Sequence, residues 1–126
     1  ETEYEPWTRV NTNFKEINVA QQLKDPNSLL NFWKKSLKLR KEYKDLLIYG
    51  SFKILDFDNE QVFTYTKSLP NSDYPKAYVV LNFSKESAKF SKLIDGDFKL
   101  INANVDKSEL VEESLSPYEG RVYIVD

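Results

Sequence analysis

The stretch Ala77-Tyr78-Val79-Val80-Leu81-Asn82-Phe83 decides the fold class. It is almost continuously apolar, rich in aromatic and β-branched residues, and too short for a buried helix. Pro70, Asn71, Asp73 and Pro75 break the chain before it. Such a run reads as a central strand covered on both faces, which requires a layered architecture.

Outward from this strand the pattern stays close to a period of two. Phe52–Phe57 and Val62–Lys67 flank Asp58-Asn59-Glu60 and predict a hairpin. Downstream, shorter strands are expected at Ala88–Phe90, Phe98–Ile101 and Leu110–Val111, and a clearer one at Arg121–Val125, after a turn marked by Pro117 and Gly120. The fold class is therefore mainly β, an antiparallel β-sandwich of about six to eight strands. No internal repeat or low-complexity tract interrupts it.

Upstream of Gly50 the period is helical. Asp25-Pro26-Asn27-Ser28 is a start signal, with Asp25 placed to accept free N–H groups and Pro26 where no donor is needed. The predicted helix covers about 25–47. On an ideal wheel Leu29, Leu30, Phe32, Trp33, Leu37, Leu39, Arg40, Tyr43, Leu46 and Leu47 form one arc roughly 200° wide, about twice what a one-sided helix needs. A helix of this kind requires two neighbours. Residues 1–23, with Pro6, Trp7, Asn11, Asn13 and Asn18, read as a loop.

The 126 residues amount to one ordinary domain, 40% hydrophobic and 30% charged, which argues against extended disorder. A net charge of −2, with 18 basic and 20 acidic residues interleaved, offers nothing to a polyanion, so no nucleic-acid partner is expected. The lack of Cys and His removes disulfides, thiolate nucleophiles, His-dependent triads and the usual zinc ligands. No cofactor or metal is expected. No apolar run reaches the roughly 20 residues of a membrane span, so no membrane partner is expected either. The chain contains no Met and begins at Glu1, which suggests a piece of a longer product.

Several residue groups could carry chemistry. Asp56, Asp58 and Glu60 lack the Gly and the distant Glu of an EF-hand and fit a solvated turn better. Glu112, Glu113 and Glu119 could supply a glycosidase-like carboxylate pair, but short strand edges are a poor platform for one. Asn82-Phe83-Ser84 is formally a glycosylation sequon, yet it ends a central strand. Trp33 and Tyr43 belong to the helical arc and read as core. Arg40 within that arc is expected to pair with a buried carboxylate or with carbonyls.

Four motifs in register carry a family resemblance. Pro6-Trp7-Thr8-Arg9-Val10-Asn11-Thr12-Asn13-Phe14 with Ile17-Asn18-Val19 resembles the loop before the last barrel helix of α-glucosidases in the α-amylase family, glycoside hydrolase family 13. Asp25-Pro26-Asn27-Ser28-Leu29-Leu30-Asn31-Phe32-Trp33-Lys34, with Leu39-Arg40-Lys41, is similar to that helix in fungal maltases and isomaltases. Val79-Val80-Leu81-Asn82-Phe83-Ser84 and Leu115-Ser116-Pro117-Tyr118-Glu119-Gly120-Arg121-Val122-Tyr123 resemble two strand motifs of the C-terminal β-domain.

The resemblance implies that residues 1–49 are the end of a (β/α)8 barrel and residues 50–126 the C-terminal β-domain. It implies a parent that cleaves maltose- or isomaltose-type α-glucosides with retention, in the cytoplasm, through an Asp, a Glu and a second Asp that all lie upstream. No catalytic residue maps onto this chain, which is expected to be inactive alone. Trp7 and Asn11 fall on the last βα-loop, where they would line the parent's substrate entrance. The expected partner is the catalytic barrel; without it, the exposed helix face is expected to self-associate. The alternative is an independent carbohydrate-binding β-sandwich, which would carry an exposed aromatic platform.

Overall fold

The computed structural model describes residues 4–126. They divide into two compact units, the boundary in the chain falling between Leu37 and Lys38. Three helices, α1 (Val19–Lys24), α2 (Leu29–Glu42) and α3 (Lys44–Leu47), precede seven strands. These are β1 (Ser51–Leu55), β2 (Val62–Ser68), β3 (Lys76–Asn82), β4 (Ala88–Lys89), β5 (Phe98–Ala103), β6 (Ser114–Leu115) and β7 (Gly120–Val125). A 3₁₀ turn spans Lys107–Glu109.

In the first unit, the segment predicted as loop to residue 23 contains α1. The Asn18 side chain accepts from the Gln21 N–H at 2.9 Å and caps this helix. The expected single helix over 25–47 is also modified at both ends. Asp25 does not cap α2; it accepts from the Asn27 N–H in a local turn. Ser28 takes the capping role, its carbonyl accepting from Phe32 N–H and its hydroxyl from Asn31 N–H. At the other end Tyr43 leaves helical geometry, with φ −100° and ψ 34°, and splits α3 from α2.

The second unit is a sandwich. Five strands in the order β1-β2-β3-β7-β5 form an antiparallel sheet, and β4 pairs with β6 in a smaller one. The Ala77–Phe83 run becomes β3 at the centre, as its composition requires. The strand expected at Leu110–Val111 is reduced to a single bridge from Val111 to Ser114, because β6 lies three residues further on.

The two faces of the large sheet follow from register. Val62, Thr64 and Thr66 share the inner face with Asn82, Val80 and Tyr78 opposite them. This face packs on Ala88, Phe90 and Leu115 of the small-sheet layer to make the main core. The outer face carries Ala77 and Ile124, against which Leu46 of α3 is buried, with the half-buried Tyr43 and Leu47 packed beside it. The Lys67 ammonium donates to the carbonyls of Leu47 and Ile48 at 2.8 and 3.1 Å, satisfying the C-terminal end of α3.

Gly50 lets the chain turn from α3 into β1. A Cβ there would lie 2.3 Å from the Leu46 carbonyl oxygen and 3.0 Å from that of Ser68. Both obstacles are backbone and cannot rotate away. Gly50→Ala is therefore expected to destabilise the β-unit by about 1–3 kcal/mol, read as a lower urea midpoint at unchanged slope.

Candidate functional site

The N-terminal unit is held together by amides rather than by a core. The Gln22 carbonyl accepts from the Ser28 hydroxyl at 2.6 Å and from the Asn31 amide at 2.9 Å, while the Gln22 side chain accepts from Leu30 N–H at 3.0 Å. The same Asn31 amide reaches the Asp25 carbonyl at 2.7 Å. These bonds lock the end of α1 to the start of α2 and satisfy groups that a helix start leaves open. The apolar residues are left outside the bracket: Phe14, Ile17, Val19 and Leu23 are all exposed.

Trp7 is 97% exposed and Asn11 is exposed as well, both on irregular backbone that turns where Phe14 N–H donates to the Asn11 carbonyl. On α2, Leu29, Trp33 and Leu37 follow one another at intervals of four and are all more than half exposed. Trp33, expected in the core, thus lies on an open apolar stripe. Arg40 is exposed and occupies no buried ion pair. The wide arc splits: Leu46 is buried in the β-unit, whereas Leu29, Trp33 and Leu37 are open and Leu30 and Phe32 are half-buried.

The carboxylates fall into solvated or structural roles. Glu112 forms a surface pair with Lys92 at 3.3 Å. Glu119 is 1% exposed and accepts from Arg121 Nε at 2.5 Å and from Ser116 N–H at 2.6 Å. Arg121, equally buried, also donates to the Ser114 carbonyl and the Tyr123 hydroxyl. Burial works against its charge, but the hydrogen bonds to Glu119 and Tyr123 outweigh it and hold its pKa above the ordinary value. Glu119 is thus committed to a structural pair.

Asp56 accepts from the Asn59 amide at 2.9 Å, and Asn59 in turn accepts from Gln61 and Val62 N–H, so this acidic stretch is a self-bonded turn. Asn82 is 3% exposed, with its amide donating to the Glu86 and Ser116 carbonyls and its oxygen accepting from Ser84. The sequon nitrogen is therefore engaged and out of reach of a modifying enzyme in the folded state.

One feature of the sheet escapes a reading of hydropathy. On β2 the threonines Thr64 and Thr66 point to the core, and Phe63 and Tyr65 point to the outer face. The Phe52 ring of β1 lies tilted at 5.0 Å from that of Tyr65, and the Phe63 ring lies 5.6 Å from it. Phe52 is 55% and Phe63 37% exposed; Tyr65 is half-buried, which pushes its hydroxyl pKa up. The signal was the strict alternation of aromatic with Val and Thr, but alternation alone does not say which face is inside.

Residues 2–50 match the family model for the alpha-amylase catalytic domain. An α-glucosidase of Candida albicans is 56% identical over 125 residues, covering 99% of this chain and 21% of that protein. The oligo-1,6-glucosidase IMA3 of Saccharomyces cerevisiae is 42% identical over 124 residues, covering 94% of this chain and 20% of its own length. The trehalulose synthase MutB of Pseudomonas mesoacidophila MX-45 superposes with a TM-score of 0.79 at 30% identity, over 97% of this chain and 22% of the other. The chain thus spans about one fifth of the length of its curated relatives. Its homologues over that span are α-glucosidases and oligo-1,6-glucosidases of the α-amylase family, glycoside hydrolase family 13.

Proposed function

We propose that this chain is the non-catalytic C-terminal part of an α-glucosidase whose whole polypeptide cleaves terminal α-glucosidic bonds of maltose- or isomaltose-type sugars with retention. Its role is to seat and stabilise the catalytic barrel. The observation that carries this is the open apolar stripe Leu29, Trp33 and Leu37 on a segment that matches the catalytic-domain family. Retaining cleavage needs two carboxyl groups about 5 Å apart with access to the sugar. Here Glu119 is buried on Arg121 and the acidic turn bonds to itself, so the chemistry belongs to the rest of the enzyme.

Similarity to both an α-glucosidase and an oligo-1,6-glucosidase supports either linkage for the parent. Trp7 and Asn11, exposed on the segment before α1, are the residues of this chain that we assign to the parent's substrate entrance. No helix among the described residues is long and apolar enough to cross a membrane. The lack of Cys and the buried Asn82 amide support a cytoplasmic parent. Without the barrel, the α2 stripe is a surface for self-association.

The second reading, a carbohydrate-binding module, draws on the exposed Phe57 and Phe83, which with Phe63 line a cleft of about 210 Å³. The test is expression of the full-length enzyme beside this chain alone, each assayed on a nitrophenyl α-glucoside. Full-length protein should turn over and the chain should not. Turnover by the chain after rigorous removal of host glucosidases would refute the proposal.

A further inference from the structure

We infer that the cleft between the two sheet layers, walled by Phe90, Phe98 and Tyr123 with Arg121 at its base, is a binding site for one neutral sugar ring. It lies on the opposite side of the large sheet from α3 and is separate from the cleft at Phe57 and Phe83. It goes beyond the proposed function and does not depend on it.

The cleft follows from the topology. β4 and β6 hold two residues each, too few to cover the inner face of five strands. Toward the edge strand β5 a space of about 280 Å³ is left between the layers, at the small end of ligand clefts and matched to a single ring. Its walls are carbon. Phe98 and Tyr123 meet edge to face at 5.7 Å with their planes 74° apart, which makes an apolar corner, and Phe90 is 6% exposed in the other layer.

Its base and rim are polar. The Tyr123 hydroxyl accepts from Arg121 Nη1 at 3.4 Å, and its own proton meets no acceptor among the described residues. That proton is offered to a ligand oxygen. At the rim, Lys92 and Glu112 form a pair at 3.3 Å and set an ammonium donor beside a carboxylate acceptor.

The charges select a neutral ligand. The 3% exposed Arg121 is already matched by Glu119, and Lys92 by Glu112, while Glu113 adds a further carboxylate to the lining. An anion would meet that carboxylate, and a cation would meet the guanidinium and the ammonium. A molecule with apolar C–H faces and hydroxyls on its edge satisfies both walls and rim, and a pyranose is such a molecule.

The test uses the full-length enzyme with its active site first blocked by a glucose-like epoxide that esterifies the nucleophilic carboxylate. Methyl α-glucoside followed by saturation-transfer NMR should then show one remaining saturable site. Tyr123→Phe should weaken that site about tenfold, the worth of one hydrogen bond. Leu110→Trp, at a half-buried position in the lining, should fill the cleft and abolish binding. Blocked enzyme that binds no methyl α-glucoside would overturn the inference, as would binding that both variants leave unchanged or that Phe57→Ala removes in their place. Binding of inorganic phosphate in place of the sugar, weakened by Tyr123→Phe, would make the cleft an anion site and also overturn it. Should Tyr123→Phe not fold, Leu110→Trp decides by the same readout. A full-length protein without α-glucosidase activity would refute the proposed function instead, and the unblocked protein would then give the same comparison.

Discussion

Arg121→Met is expected to destabilise the β-unit by about 3–5 kcal/mol, the largest effect of any single substitution considered. The guanidinium is 3% exposed and makes three kinds of contact at once, to Glu119, to the Ser114 carbonyl and to the Tyr123 hydroxyl. Its face also lies over the Phe90 ring, 5.7 Å from the centroid. Removing it leaves the Glu119 carboxylate buried without its charged partner, still accepting from the Ser116 N–H. The cost comes from that stranded charge more than from the lost attraction, so the double variant Arg121→Met with Glu119→Met should recover a substantial part of the loss. Urea unfolding of the four proteins in the cycle checks this. A double variant as unstable as the sum of the two singles would show that the residues act independently.

The pair explains how a two-stranded sheet of four residues stays in place. β6 contributes Ser114 and Leu115, and Arg121 on β7 reaches across to the Ser114 carbonyl. Leu115 is fully buried in the main core beside Val62, Tyr78 and Val80. Leu115→Ala is accordingly expected to cost about 2–5 kcal/mol, because the large sheet is rigid and the cavity cannot close around a missing isobutyl group. Hydrogen exchange should then show Phe90 N–H, which donates to the Glu113 carbonyl, opening well before the β2–β3 ladder. Simultaneous loss of protection in both places would mean that the small sheet unfolds only with the whole unit.

For the wider family, the position of these two effects is informative. Both lie in the motif from Leu115 to Tyr123, in which Glu119 directly precedes β7, the strand that pairs with β3, and Arg121 lies two residues on, within it. Residues i and i+2 of a strand face the same side, so a Glu-Gly-Arg spacing can bring both side chains to one face without a turn. A sequence reading that weighs Glu119 only as a catalytic carboxylate overlooks this arrangement. Desolvation makes a buried carboxylate usable as an acid or as an anchor, and only the neighbouring atoms decide between them.

What the sequence determined by itself was everything that depends on local period and composition. The run Ala77–Phe83 specified a strand covered on both faces, and it is the middle strand of five, with Tyr78 and Val80 inside and Ala77 under α3. The hairpin before it, the clear last strand and the excess width of the helical arc were equally legible, because each is written within one element. The tertiary structure alone decided matters that need two elements at once. Ser28 caps α2 in place of Asp25 because Gln22 and Asn31 draw the chain into a bracket there. The helix breaks at Tyr43 where Leu46 and Leu47 come down on the sheet. The alternation Val62-Phe63-Thr64-Tyr65-Thr66 fits either face inward, and hydropathy alone would bury the rings. Register with β3 and the small sheet's hold on the opposite side put the threonines inside and left the aromatic row outward. A period of two tells which residues share a face; which face is buried is settled by what the rest of the chain brings to each side.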